Sequence, residues 1–200
     1  MNRRALKVGV AGTHSTGKTT LLSSLKGRLV DEGLRVTVVK NLARAARDAG
    51  FAILTQQTED TALWIMSEGI RRESSATLIS DVILVDRAIF DALGYLEAAL
   101  QVTGRSRDER RHPILEGISR SYARDYDLLV ITKLDEAIPL GQGRDTDEQF
   151  RRVAGERILE FADDLGCSFI TMTSENRDTV ERQIMTFILD RLKGRRTPDD

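Results

Sequence analysis

The chain has little of what marks several classes of protein. It contains 1 cysteine in 200 residues, so no disulfide can form within it. No apolar run approaches the roughly 18 residues that span a bilayer. The arginines at the amino terminus lead into a short apolar run followed by glycine, which is unlike a signal peptide. These absences predict a cytoplasmic protein without a membrane partner.

Aromatic residues are also scarce, at 5% of the chain, and the net charge is only −1. Proteins that bind nucleic acid usually carry a basic surface, and those that bind single strands add aromatic side chains on which bases stack. We therefore expect no nucleic acid partner, and a nucleic-acid-stimulated ATPase is disfavoured. No feature of the sequence indicates an oligomeric state.

The 3 prolines interrupt no strong helical pattern, and the 40% hydrophobic content is ample for a core. We predict one domain over residues 1–193 and a frayed, charged tail at 194–200. Short apolar runs, several of them apolar on both faces, predict strands at 6–11, 36–40, 82–85, 128–132 and 168–172. Amphipathic stretches predict helices at 17–32, 42–49, 58–79, 90–101, 108–124, 146–165 and 177–192. This alternation predicts an α/β fold with a parallel sheet.

The strongest motif, GTHSTGKT at 12–19, follows the first strand and opens a helix, as a phosphate-binding loop does. Glycines at both ends allow a tight turn whose N–H groups face phosphate oxygens, and the helix start adds positive dipole. Lys18 would reach the β- and γ-phosphates, and Thr19 would ligate Mg²⁺. His14 is interpreted as a spacer. The predicted nucleotide-binding residues are Gly12, Thr13, His14, Ser15, Thr16, Gly17, Lys18, Thr19 and Thr20.

A second acidic position, Asp86, ends the apolar run at 82–85. Ligands of open parallel sheets bind at the carboxyl ends of the strands. Asp86 could hold Mg²⁺ or accept a substrate proton, and Arg87 could clamp a phosphate or only pair with Asp86. Asp91 and Tyr95 share one helix face. They are candidate substrate residues, although Asp91 could merely cap the helix and Tyr95 could merely be core.

A polar, glycine-containing segment over about 133–152 carries Arg144 and Arg151, which are two helical turns apart. Such a segment could close over the phosphates and supply arginine charge to the transferring group. A solvated basic face is the alternative. Asp145 and Glu148 have the spacing of a capping box, which predicts a helix start near residue 145.

Three motifs together resemble those of the P-loop nucleoside and nucleotide kinases, including nicotinamide riboside kinase-like and thymidylate kinase-like proteins. They are Gly12-x4-Gly17-Lys18-Thr19, Asp86-Arg87-x3-Asp91-x3-Tyr95 and Gly143-Arg144-x-Thr146-Asp147-x2-Phe150-Arg151. The resemblance implies a three-layer P-loop NTPase fold, with a five-stranded parallel sheet of order 2-3-1-4-5 and helices on both faces. It also implies transfer of the γ-phosphoryl group of Mg-ATP to a small nucleoside, nucleotide or related acceptor, under an arginine lid.

The chain departs from this family after the second strand, where similar proteins often carry Glu followed by Ala-Arg. Here Arg44 matches, but Asn41 stands at the acidic position, and an amide cannot take a proton. Three interpretations remain: Asp86 does that work alone, the acceptor is a phosphate that needs no base, or transfer is inefficient. Both residues are candidate acceptor contacts, and Trp64 could stack on a base or belong to the core.

A rival interpretation starts from Thr132, Lys133 and Asp135, which resemble the guanine-reading element of small GTPases. A GTPase also needs D-x-x-G after its second acidic strand, and this chain has Asp86-Arg-Ala-Ile there. The match to GTPases is thus only partial. It leaves GTP possible as the nucleotide, and the alternative function is a GTP- or ATP-binding regulatory module with slow hydrolysis.

Overall fold

The structure is a computed structural model that describes residues 4–13, 16–133, 147–166 and 168–194. Its strands are β1 (Leu6–Ala11), β2 (Val36–Val39), β3 (Val82–Asp86), β4 (Leu128–Thr132) and β5 (Phe169–Met172). Its helices are α1 (Lys18–Asp31), α2 (Leu42–Asp48), α3 (Glu59–Thr77), α4 (Asp91–Thr103), α5 (His112–Ala123), α6 (Glu148–Asp164) and α7 (Arg177–Gly194). A short 3₁₀ turn, Leu54–Gln56, precedes α3. No helix in these ranges is long and apolar enough to cross a membrane.

The strands form one parallel sheet of order β2-β3-β1-β4-β5, which confirms the expected topology. β1 lies in the centre, and the register pairs Val10 with Asp86 at the carboxyl end of β3. The segments that follow β1 and β3 are therefore neighbours at one edge of the sheet, where the motifs of the site meet.

Helices cover both faces of the sheet, as expected. On one face, α1 and α7 enclose a core that includes Leu21, Leu25 and Ile184. On the other, α3, α4 and α6 pack over a second core that includes Met66 and Phe150. Burying large aliphatic and aromatic side chains stabilises a fold by about 1.5–3 kcal/mol each. Both cores lie beneath the site and hold the strand ends in place.

Two helices begin at least two residues later in the chain than predicted. The Asp108 side chain accepts the N–H groups of Arg110 and Arg111 at 2.9 and 3.0 Å, so these residues form a turn and α5 begins at His112. Asp147, not Asp145, caps α6, because its carboxylate accepts the Phe150 N–H at 2.9 Å. The predicted start of that helix near residue 145 was therefore wrong.

α4 and α6 approach each other closely, and Gly94 makes the approach possible. A Cβ on Gly94 would lie 2.5 Å from the Ile158 side chain, far inside van der Waals contact. Residues 91–100 of α4 are buried without a break. The position of this helix, which begins with Asp91, is thus set by packing on every side.

Candidate active site

Close packing against β4 shapes the start of the phosphate loop. Gly12 has φ +124°, and a Cβ there would collide with the Thr132 hydroxyl and carbonyl. Gly17 has φ +83° and forms the N-cap of α1 in the left-handed region. Each glycine of the motif therefore meets a backbone requirement that other residues meet only with strain. His14 and Ser15 lie outside the described residues.

The Lys18 side chain folds back over the loop, with only 5% of the residue exposed. Its Nζ donates to the carbonyl oxygens of Gly12, at 2.9 Å, and Thr13, and to the Thr16 hydroxyl at 3.0 Å. Thr19 and Thr20, in the first turn of α1, are exposed. A fixed ammonium, an exposed hydroxyl and a helix N-terminus together form a cradle suited to phosphate oxygens.

The Thr132 hydroxyl ties the end of β4 to this loop. It donates to the Ala11 carbonyl at 3.0 Å and lies 2.6 Å from the Thr16 hydroxyl. Thr132 is buried, so the first residue of the guanine-reading resemblance has a role inside the loop. Lys133 is exposed, and the last two residues of that element, Leu134 and Asp135, lie outside the described residues.

Arg87 lies between the phosphate loop and α4 with φ +82°. Its guanidinium stacks over the Tyr95 ring, 4.7 Å from the ring centroid, and its Nη1 donates to the Gly12 carbonyl at 3.3 Å. The same Nη1 lies 3.8 Å from Asp91 Oδ2. Arg87 therefore pairs with Asp91, where sequence reasoning had considered a pair with Asp86. Asp86 lies half-buried at the end of β3.

Asp91 joins the phosphate loop to α4. Its Oδ2 accepts the Gly12 N–H at 3.2 Å, so this amide faces a carboxylate of the protein. Burial leaves the residue 1% exposed and raises the pKa of Asp91 to about 7, against the opposing effects of Arg87, Lys18 and the Gly12 N–H. Asp91 and Tyr95, one turn apart, face the same pocket, as the helical spacing predicts.

The raised pKa of Asp91 makes fold stability depend on pH. Between about pH 4 and 7 the folded protein keeps a proton that the unfolded chain releases, so rising pH lowers the free energy of unfolding. The slope from one such group is at most about 1.4 kcal/mol per pH unit. We expect Asp91→Asn to flatten the decline, measured by urea unfolding from pH 5 to 8. Asp190→Asn, on the exposed side of α7, is the control that keeps the wild-type slope. Parallel slopes for wild type and Asp91→Asn would contradict the assignment.

A second pocket adjoins the phosphate loop, because its lining includes Arg87 and Asp91, which both contact Gly12. Its walls are mainly aliphatic and come from four parts of the chain: Leu42, Ile53, Leu54, Ile65, Ile89 and Ala92. Its polar members are Gln57, Arg87, Asp91 and Tyr95. Apart from Arg87, Asp91 and Tyr95, sequence reasoning missed this lining, because scattered aliphatic residues carry no motif.

Three proposed acceptor contacts lie outside the lining of this pocket. Asn41 is exposed, with φ +63°, directly before α2. The Arg44 side chain is 72% exposed and lies 3.7 Å from Asp48. Trp64 packs against Phe51, with ring centroids 5.5 Å apart. The pocket is instead lined by Leu42 and Ala43, which lie between Asn41 and Arg44 in the chain.

Arg151 is buried, in contrast to its neighbour. It is 5% exposed, and its Nε and Nη2 have no hydrogen-bond partner among the described residues. Arg152 is exposed and lies 3.7 Å from Glu156. Two unpaired, buried N–H donors are costly unless an anion meets them, so Arg151 is not part of a solvated basic face. Arg144 and the segment 134–146 lie outside the described residues.

A buried polar network supports the segment that carries Arg87 and Asp91. The Ile89 N–H donates to the Tyr126 hydroxyl at 2.9 Å, and that hydroxyl donates to Glu73 at 3.1 Å. Lys7 lies 2.9 Å from the same carboxylate, and burial raises the pKa of Glu73. These contacts span more than 35 positions in the chain, so no local pattern indicated them.

The residues predicted to hold Mg²⁺ provide hard oxygen donors, of the type this ion prefers. Thr19 offers an exposed hydroxyl, and Asp86 offers a half-buried carboxylate at the edge of the sheet. The described residues include no cluster of three or more His, Cys, Asp or Glu that could hold a metal ion alone. This donor set fits an ion held partly by nucleotide phosphates and water.

Solved structures share this architecture. Deoxyadenosine kinase from M. mycoides with bound dATP matches with a TM-score of 0.63 and 11% identity, over 92% of this chain and 99% of that one. Thymidylate kinase from Candida albicans matches with 0.63 and 16%, over 98% and 96%. NadR protein in complex with NR matches with 0.57 and 17%, over 84% of this chain but 43% of that one. No curated protein matches significantly.

The fold is therefore that of the P-loop nucleoside and nucleotide kinases, which confirms the resemblance drawn from the three motifs. These comparisons do not favour the regulatory GTP-binding alternative. A family model described as "AAA domain" matches residues 7–182, and the chain belongs to that family.

Proposed function

We propose that this protein is an ATP-dependent phosphotransferase that moves the γ-phosphoryl group to a small-molecule acceptor. The observation that carries the proposal is the position of Asp91, which accepts the Gly12 N–H of the phosphate loop at 3.2 Å and also lines the second pocket. Two pockets that share a wall allow donor and acceptor to meet. A hydrolase needs only the phosphate loop and water.

The donor side consists of residues 12–20, which include Lys18, together with Arg151. The Lys18 ammonium binds the β- and γ-phosphates, and the loop N–H groups after Gly12 and the start of α1 add further donors. Arg151 supplies a buried guanidinium for the equatorial oxygens of the transferring group, and Arg144 is proposed to join it. Mg²⁺, held by Thr19 and Asp86, would neutralise charge on the β- and γ-phosphates.

On the acceptor side, Asp86 takes the proton. The acceptor hydroxyl oxygen attacks the γ-phosphorus, its proton passes to the Asp86 carboxylate, and the bond to the β–γ bridging oxygen breaks to release ADP. Arg87, held by the Tyr95 ring and the Gly12 carbonyl, orients the acceptor beside the transferring group. Asn41 and Arg44 are proposed to contact the part of the acceptor that projects from the pocket.

Mass spectrometry of products tests this proposal. We expect Mg-ATP and a panel of nucleosides and nucleoside monophosphates to yield one phosphorylated product with stoichiometric ADP. Asp86→Asn should lower product formation by about 100-fold or more, because it removes both a base and a metal ligand. Asp81→Asn, at the other end of β3 in a pair with exposed Arg35, is the matched control. ADP and inorganic phosphate as the only products would contradict the proposal.

A further inference from the structure

The walls of the second pocket are apolar, and its cavity is small. Eight of its twelve lining residues are aliphatic, with Leu54, Ile65 and Ile89 among them. The cavity measures about 60 Å³, which is room for about five water molecules. Gln57 adds a polar group, but its Nε2 donates to the Ala92 carbonyl at 2.7 Å and so braces the wall.

The ionisable side chains Arg87 and Asp91 in the described lining of this pocket lie next to each other. Arg87 is the one cation in the described lining, and it lies 3.8 Å from Asp91, the one carboxylate. The same guanidinium is also shared with the Gly12 carbonyl and the Tyr95 ring. A phosphate monoester needs several uncommitted donors to offset its loss of water, and the described lining offers one guanidinium, which already has three partners. Arg151, whose Nε and Nη2 have no partner among the described residues, is not part of this lining.

Backbone strain is concentrated around the same pocket. Among the described residues, three non-glycine residues have positive φ: Asn41 at 63°, Leu54 at 59° and Arg87 at 82°. Leu54 and Arg87 line the pocket, and Asn41 precedes Leu42, which lines it too. Strained conformations of this kind cluster at ligand sites, where the surrounding structure holds them in place. Leucine is an especially poor residue for this region, so its side chain is held toward the pocket at a cost in stability.

From these observations we infer that the acceptor is a neutral alcohol whose buried part is a single apolar or aromatic ring, as in a nucleoside, and is not a phosphate monoester. The inference rests on the proposed phosphotransfer and specifies its acceptor. The ring occupies the aliphatic walls, while the hydroxyl points past Arg87 and Asp91 toward the donor phosphates. This acceptor also selects one of the three interpretations of Asn41. An alcohol needs a base, and with an amide at position 41 Asp86 alone supplies it.

Matched acceptor pairs test the charge of the acceptor. Thymidine, adenosine, cytidine, guanosine and their 5′-monophosphates are incubated separately with the protein and Mg-ATP, and products are identified by mass. We expect at least one nucleoside to be converted and its monophosphate to react at least about tenfold more slowly. Conversion of monophosphates to diphosphates, with nucleosides left unchanged, would overturn this inference and leave the phosphotransferase proposal standing. Release of phosphate with no phosphorylated product would overturn both.

A leucine-to-asparagine change tests the apolar wall. Asparagine has nearly the shape of leucine and tolerates positive φ, so Leu54→Asn changes polarity without adding strain. We expect the acceptor KM to rise at least about tenfold, while the melting temperature and the KM for ATP stay close to wild type. Leu78→Asn, at a residue 73% exposed beyond α3, is the control with wild-type kinetics. An unchanged acceptor KM in the folded Leu54→Asn variant would overturn the assignment of this pocket.

Discussion

Replacing Lys18 with alanine should lower nucleoside triphosphate affinity or turnover at least about 100-fold, which corresponds to about 3 kcal/mol. The Lys18 ammonium is fixed against the phosphate loop through the Gly12 and Thr13 carbonyls and the Thr16 hydroxyl. Its loss removes a charge-assisted contact in a buried position. Calorimetry with ATP and GTP, together with steady-state kinetics, measures the effect.

Two further variants separate the charge of Lys18 from its packing. Lys18→Met keeps most of the side-chain volume, so the loop stays filled while the ammonium is lost, and it should match the alanine variant. Lys26→Ala removes an exposed lysine from the same helix and should bind triphosphates as wild type does. If Lys18→Ala and Lys18→Met fold and bind ATP and GTP as wild type does, the loop has no role in binding nucleotide.

Removing Arg151 should lower kcat about 100-fold while changing ATP affinity less than about tenfold. Negative charge spreads over the equatorial oxygens as the phosphoryl group transfers, so a guanidinium that meets them acts more on the transition state than on the bound substrate. Stopped-flow measurement of ATP binding and steady-state measurement of kcat separate the two effects. Arg144→Ala is expected to behave similarly, and the double variant should be less than additive, because both residues act on one state.

Arg152 provides the control for Arg151, since it is adjacent in the chain but exposed and close to Glu156. Arg152→Ala should leave both parameters at wild-type values, because exposed ion pairs of this kind contribute about 1 kcal/mol or less. Arg151→Met preserves the buried stem and tests whether the guanidinium or the packing matters. Wild-type kcat in Arg151→Met would show that this arginine only fills space beside α4.

The phosphate loop could be predicted from the sequence because all its groups lie in one short segment. Its glycines answer local requirements, and Lys18 and Thr19 follow from the register of a helix that starts at a known residue. The strands were predicted equally well, because apolar runs such as 82–85 are too short for helices and too apolar for exposed loops. Both signals are local, and local physics decides them.

The second pocket could not be predicted, because it is assembled from four segments whose aliphatic residues look like any core. The partner of Arg87 was equally hidden: Asp86 is adjacent in sequence, but a strand end and a left-handed residue turn the guanidinium toward Asp91. The burial of Arg151 could have been predicted from the sequence. It precedes Ala154 and Ile158 by three and seven residues, the spacing of one helical face, and both are fully buried.

The close contact between Gly94 and Ile158 also fixes the point about which α6 can tilt against α4. Ile158 lies against α4 at the point where a side chain on residue 94 would not fit, and α4 is itself held on all sides. Arg151 is seven residues nearer the start of α6, about 10 Å along the axis at 1.5 Å per residue. Phe150, next to Arg151, packs edge-on against Tyr95 with ring centroids 5.7 Å apart. A tilt of about 10° around the Gly94 contact would move Arg151 by roughly 2 Å and would move this ring with it. The tight packing of two helices thus couples the position of Arg151 to Tyr95 in the lining of the second pocket.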